Sequence, residues 1–145
     1  VIVIMVREVM TRALVTIGPE TACDKARRLM DECQIRHLPV VSEGRLVGIL
    51  SDRDLRSASV NAPGASAGRI MTACPVTVTP ETRVEYAARL MLDGRFGALP
   101  VVDGDGLAGI VTYADLLRAL TRVIDTATEE RIAVDFSGGS RCETC

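Results

Sequence analysis

A chain of 145 residues with a hydrophobic fraction of 48% can fill one well-packed domain with one core, but not two large domains. Its formal net charge of -2, with 17 Lys and Arg against 19 Asp and Glu mixed along the whole length, offers no basic stripe to neutralise nucleic-acid phosphates. Two Phe, two Tyr and no Trp leave little for base stacking, so no nucleic-acid partner is expected.

The chain opens on the apolar run from Val1 to Val6, far shorter than the roughly 20 residues that span a bilayer. It has no basic leader or small-residue cleavage site, so neither a membrane partner nor secretion is expected. Five cysteines, at 23, 33, 74, 142 and 145, make an odd and scattered set rather than a disulfide framework. A reducing cytoplasm is the expected compartment.

A repeat then organises the chain. Val9-Met10-Thr11 leads into Thr16-Ile17-Gly18-Pro19-Glu20-Thr21. A helix follows, with Thr21 as predicted N-cap, Asp24 three residues on, and apolar positions Ala22, Ala26, Leu29, Met30 and Cys33 on one stripe. The runs His37 to Val41 and Leu46 to Leu50 flank Ser42-Glu43-Gly44-Arg45 as a hairpin. A second helix begins after Ser51. Shifted by about 61 positions, the sequence matches itself without a gap at about 21 of roughly 49 positions, which is a duplication. In the second copy the counterparts are Ile70-Met71-Thr72, Thr77-Val78-Thr79-Pro80-Glu81-Thr82, a helix carrying Val84, Ala87, Ala88, Met91 and Leu92, and the strands Ala98 to Val102 and Leu107 to Val111.

The chain divides on this pattern into a first repeat over residues 7–58, an Ala, Ser and Gly-rich linker over 59–68, a second repeat over 69–124, and a tail over 125–145. Within the tail, Arg131 to Phe136 alternates like a strand and Ser137-Gly138-Gly139-Ser140 reads as a flexible break. Cys142 and Cys145 form a Cys-x-x-Cys pair, but at the terminus, away from a helix start and without a second pair for zinc.

Both repeats end their last strand alike: Gly48-Ile49-Leu50-Ser51-Asp52-Arg53-Asp54 and Gly109-Ile110-Val111-Thr112-Tyr113-Ala114-Asp115. A hydroxyl followed three residues later by Asp is, at its plainest, a helix cap. The same arrangement also suits a nucleotide, because a helix start favours a phosphate, a hydroxyl can donate to it, and a carboxylate can accept from a ribose diol. Gly48 and Gly109 would admit a ligand or a neighbouring strand.

With Val-Met-Thr, Leu-Pro-Val-Val and Gly-Ile-Leu-Ser-Asp-Arg-Asp in series, about residues 7 to 120 resemble a tandem CBS module, the repeat pair named after cystathionine β-synthase. The resemblance implies an α+β fold of two β-α-β-β-α repeats packed pseudo-symmetrically through their sheets, and a homodimer. It implies clefts holding AMP, ADP, ATP or S-adenosyl compounds, with Asp54 or Asp115 on ribose and Ser51 or Thr112 near phosphate. Thr16, Ile17, Thr77 and Val78, with the backbone near Pro39 and Pro100, would flank adenine. A regulatory adenine-nucleotide module with a regulated protein partner is therefore expected, with no enzymatic activity and no catalytic cofactor. The alternatives are a ligand-free dimerisation or adaptor scaffold, or a piece of a larger protein.

The copies differ in charge. Arg36, His37 and Arg53 surround the first corner, where the second copy has Gly97, Ala98 and Ala114. The first corner is therefore the expected phosphate site, although Arg36 and His37 also fit an exposed strand start. His37 is the one histidine of the chain, and no cluster at ligand spacing accompanies it, so no metal is expected.

Overall fold

The computed structural model describes residues 2–104 and 106–137. Its elements in order are α1 (Val6–Val9), α2 (Cys23–Cys33), β1 (His37–Ser42), β2 (Arg45–Ser51), α3 (Asp52–Asn61), α4 (Ala67–Ile70), β3 (Thr72–Ala73), α5 (Val84–Gly94), β4 (Ala98–Asp103), β5 (Gly106–Thr112) and α6 (Tyr113–Ser137). The expected α+β repeats are present, each built on an antiparallel hairpin, β1 with β2 and β4 with β5. A single parallel bridge adds the lead strand to each, Ile17 to Val40 and Val78 to Val101.

The hairpins are tighter than the sequence suggests. The strands reach Ser42 and Arg45, so only Glu43 and Gly44 turn, both left-handed with φ of 51° and 76°. That is the twist a two-residue hairpin needs. Both hairpins also shift register at one equivalent point, between Val40 and Val41 and between Val101 and Val102.

What joins the repeats is an exchange of their lead-in segments. β3, at the start of the second repeat, pairs with β2 of the first at Gly48 and Ile49. In return Thr11 bridges Ile110 on β5, its N–H donating to the Ile110 carbonyl at 2.8 Å and its carbonyl accepting from Ile110 at 3.0 Å. Short helix α1 docks on the second repeat, with Val6 N–H on the Thr82 carbonyl (2.8 Å) and Arg7 N–H on that of Pro80 (3.0 Å). α4 does the same on the first, Ala67 N–H on Thr21 (2.7 Å) and Gly68 N–H on Pro19 (2.8 Å). The repeated Pro-Glu-Thr motif is thus a carbonyl platform for the other repeat's lead-in.

The structure corrects three expectations. Thr21 and Thr82 do not cap α2 and α5. The cap positions are Ala22 and Arg83, without a side-chain cap bond, because Cys23 N–H and Val84 N–H reach the carbonyls of Ala65 (3.3 Å) and Ile4 (3.0 Å) instead. The threonine hydroxyls turn back to accept from Gly18 N–H (3.1 Å) and Thr79 N–H (3.0 Å). Nor is there one core. One buried cluster joins Ile17, Ala26, Met30, Leu38, Val40, Leu50 and Leu55 to Ala67 of the second lead-in. Another joins Val78, Ala87, Met91, Leu99, Val101 and Val111 to Val6 and Met10 of the first. Each hairpin has its own inner face to cover, so two clusters form and each is completed by the other repeat. Finally, Arg131 to Phe136 continues α6 rather than forming a strand. No Gly or Pro interrupts the 25 residues from Tyr113 to Ser137, and an isolated strand would have no ladder to join. The Cys142 and Cys145 pair lies outside the described residues.

Gly48 and Gly109 admit the neighbouring strand. A Cβ on Gly48 would overlap Met71 Sδ and lie 2.9 Å from the Thr72 carbonyl oxygen, and one on Gly109 would lie 2.9 Å from both Met10 Sδ and the Thr11 oxygen. The Met-Thr dipeptide and the strand glycine are therefore one contact made twice. Because a backbone oxygen cannot swing aside as a side chain can, Gly48→Ala should destabilise the fold by about 1 to 3 kcal/mol. Urea denaturation should show a lower midpoint at unchanged slope, and an unaltered midpoint would contradict the contact.

Candidate functional site

Two clefts open between the repeats. The first, about 490 Å³, is mostly apolar, walled by Leu14, Val15, Ile35, Pro39 and Ile110 and edged by Thr112, Tyr113 and Arg118. The second, about 390 Å³, is strongly polar, with Ser51, Arg53 and Asp54 on one side and Arg95, Phe96 and Gly97 on the other. Arg36, His37, Gly97 and Tyr113 line both.

Five of the sequence-derived candidates, Arg36, His37, Ser51, Arg53 and Asp54, meet in the second cleft. β2 ends at Ser51 and α3 begins at Asp52, so the corner is also a helix cap. Ser51 N–H donates to Asp54 Oδ2 (2.9 Å) and Asp54 N–H donates to Ser51 Oγ (3.0 Å). The plain reading is realised without exhausting the chemistry. Among the described residues Asp54 Oδ1 accepts no hydrogen bond, and the Ser51 hydroxyl proton remains to donate.

The second corner is different. Asp115 is 1% exposed and accepts from Thr112 N–H (2.9 Å), Thr112 Oγ1 (3.2 Å), Thr11 Oγ1 (3.2 Å) and Arg118 (2.6 Å). It lines neither cleft, whereas Thr112 faces the first. The residue equivalent to Arg118 in the first repeat is Ser57, so no cation occupies Asp54 in the same way. Of the proposed adenine-flanking residues, Pro39 lines the first cleft, but Thr16, Ile17, Thr77, Val78 and Pro100 line neither. Ile17 and Val78 are buried in the two cores. The apolar wall is set a few residues earlier, at Ala13 to Val15.

Charge around the second cleft is only partly neutralised. Asp52 binds Arg27 at 2.6 Å and Arg56 at 2.7 Å, and the Arg27 hydrogen bond holds its carboxyl below the usual range. Arg36, Arg53 and Arg95 have no carboxylate partner among the described residues. Sequence reading missed Arg95, Phe96 and Thr72. Arg95 closes α5 in the left-handed conformation (φ 56°), as Gln34 closes α2 (φ 53°). The charge gained there, Arg95 where the first repeat has Gln34, was the available signal for that residue.

His37 divides the clefts. A Cβ on Gly97 would come within 2.9 Å of its Cε1 and Nε2 atoms, so the imidazole is seated where the other repeat has no side chain. Burial lowers its pKa below the ordinary 6.5, Asp54 and Asp52 oppose this, and Arg36 adds to it.

The chain matches the family model described as the CBS domain twice, over residues 6–61 and 67–122. A CBS domain-containing protein of Dictyostelium discoideum is 36% identical over 137 residues, covering 84% of this chain and 94% of the relative. The crystal structure of CBSX2 in complex with AMP superposes with a TM-score of 0.75 at 37% identity, covering 82% of this chain and 97% of that one. The CBS domain pair of protein MJ0100, in complex with 5′-methylthioadenosine and S-adenosyl-L-methionine, gives a TM-score of 0.78 at 27% identity, covering 83% and 98%. Among the described residues no helix is long and apolar enough to cross a membrane.

The state of His37 has a measurable consequence. The fold lowers its pKa, so it favours the neutral ring, and the associated stability is complete above pH 6.5 and falls as the pH drops below that value. His37→Gln should remove this contribution. The melting temperature of the variant should decline less steeply than wild type below pH 6.5, and parallel profiles would exclude the burial argument.

Proposed function

The chain belongs to the CBS-domain family, and we propose that it is a regulatory module that binds an adenine nucleotide in the second cleft. The observation that carries this reading is the unsaturated corner of the first repeat. Asp54 keeps one carboxylate oxygen without a partner among the described residues, beside a serine hydroxyl, the start of α3 and three uncompensated guanidinium groups. In this reading Asp54 Oδ1 accepts from the ribose diol. Ser51, Arg36, Arg53 and the α3 N-terminus hold phosphate. Ile49, Phe96 and Ala98 supply an apolar wall for the base. His37, next to a bound phosphate, would gain a proton more readily, so affinity rises as pH falls. The AMP of CBSX2 and the adenosyl ligands of the MJ0100 pair support the ligand class. The match to 94% of the Dictyostelium relative supports a binding role rather than catalysis, since little of that protein lies outside the matched region.

We further propose a homodimer that covers α6 and responds to the ligand, with a regulated protein as its downstream partner, in a reducing compartment. On α6 the exposed residues Tyr113, Leu117, Leu120 and Ile124 fall at helical spacing on one stripe, an apolar face that a second copy would remove from water. Light scattering should give twice the chain mass for the wild type and one chain mass for Leu117→Glu with Leu120→Glu. A monomeric wild type at high micromolar concentration rules this assembly out.

Loss of a charge-assisted contact to the diol costs about 1.5 to 3 kcal/mol, so Asp54→Ala should weaken AMP or ATP binding roughly ten- to a hundredfold. Circular dichroism must show an intact fold, because the same residue caps α3. Asp115→Ala should lower the melting temperature while changing affinity little, since its partners are internal. Calorimetry with equal affinities for wild type and Asp54→Ala, or no adenine nucleotide bound at millimolar concentration, would leave the empty-scaffold reading in its place.

A further inference from the structure

We infer that the second cleft grades its ligands by the length of their phosphate chain, through a clamp made by Arg53 and Arg95 from opposite repeats. The base specificity rests on the nucleotide reading above, but the clamp rests on charge. Arg36, Arg53 and Arg95 come from the approach to β1, the first turn of α3 and the end of α5, and line a space of about 390 Å³. The other arginines of the neighbourhood are already paired with carboxylates, Arg27 with Asp52 and Asp31, Arg56 with Asp52, and Arg118 with Asp115. Unpaired like charges gathered around one cleft raise the local positive potential and favour a polyanion. Guanidinium groups recognise phosphate oxygens in a directional, often bidentate way.

The pseudo-symmetry supplies an internal control. The residues equivalent to Arg53 and Arg95 are Ala114 and Gln34, and both line the first cleft. That cleft has the shared Arg36, and an Arg118 committed to Asp115. Among the described residues it therefore has no free cation for a second or third phosphate. Because Arg53 belongs to the first repeat and Arg95 to the second, an anion touching both ties α3 to the end of α5. A nucleoside monophosphate anchored on Asp54 and Ser51 has fewer charges with which to do so. Occupancy by a polyphosphate is then a different mechanical state from occupancy by a monophosphate.

The test is calorimetry on the full chain at about 0.15 M salt, where exposed charges more than roughly 8 Å apart are largely screened. The titrants are AMP, ADP, ATP and inorganic tripolyphosphate. Arg53→Ala and Arg95→Gln install the residues of the symmetric positions and are surface substitutions that should leave the fold intact. Wild type should bind ATP at least about tenfold more tightly than AMP. Each variant should lose about tenfold for ATP and tripolyphosphate; Arg95→Gln should lose no more than about twofold for AMP, while Arg53→Ala, whose guanidinium also meets the single phosphate, should weaken AMP by less than it weakens ATP. Equal affinities of wild type for AMP and ATP, or an Arg95→Gln variant that weakens both alike, would overturn the clamp while leaving the nucleotide reading standing. If tripolyphosphate binds and depends on both arginines but no adenine nucleotide binds better than it, the clamp stands and the adenine assignment falls.

Discussion

The close approach of each lead-in segment to the other repeat's sheet is the constraint on which the rest of this molecule depends. A two-stranded hairpin has an unpaired edge and an uncovered face, and neither repeat contains enough chain to satisfy both. β3 along β2, and Thr11 along β5, pair those edges. The methionine before each threonine completes the packing over a glycine, Met71 over Gly48 and Met10 over Gly109. Val6 of α1 and Ala67 of α4 cover the faces, each entering the opposite repeat's core. The repeats therefore cannot separate without exposing both cores and two sheet edges.

The clefts follow from the same exchange. Crossing the lead-ins brings β2 and β5 side by side and sets the corner of each repeat against the other repeat's helix-to-strand loop. Backbone symmetry makes two clefts of similar size, and side chains make them chemically unlike. One combines an accessible carboxylate with three arginines that have no carboxylate partner among the described residues. The other is apolar and has its carboxylate sealed by Thr11 and Arg118. His37 sits between them, its ring filling the space left by Gly97.

At each corner the hydroxyl and carboxylate of the repeated motif are first of all a helix cap. Ser51 and Asp54 cap α3 as a reciprocal pair, and that bond fixes the carboxylate in the cleft with one oxygen outward. At the second corner the same hydroxyl and carboxylate types are held by additional partners, Thr11 and Arg118, and the carboxylate is buried. The neighbours decide whether any hydrogen-bonding capacity is left over.

The duplication, the α+β repeats, the helical stripes and the grouping of Arg36, His37, Ser51, Arg53 and Asp54 were legible in the sequence, because each rests on local periodicity or on identity between the copies. Local pattern could not say that Thr21 and Thr82 would give up their caps, since the carbonyls of Ala65 and Ile4 that replace them arrive from distant chain. It could not separate one core from two, nor tell that Ile17 and Val78 are buried in those cores. Alternation from Arg131 to Phe136 suggested a strand, but the uninterrupted helix before it propagates by adding one hydrogen bond per residue. Asp54 and Asp115 are the same residue type at the same place in the repeat. Only the packing of Thr11 and Arg118 on one of them, from another segment and one turn along α6, decided which carboxylate remained open.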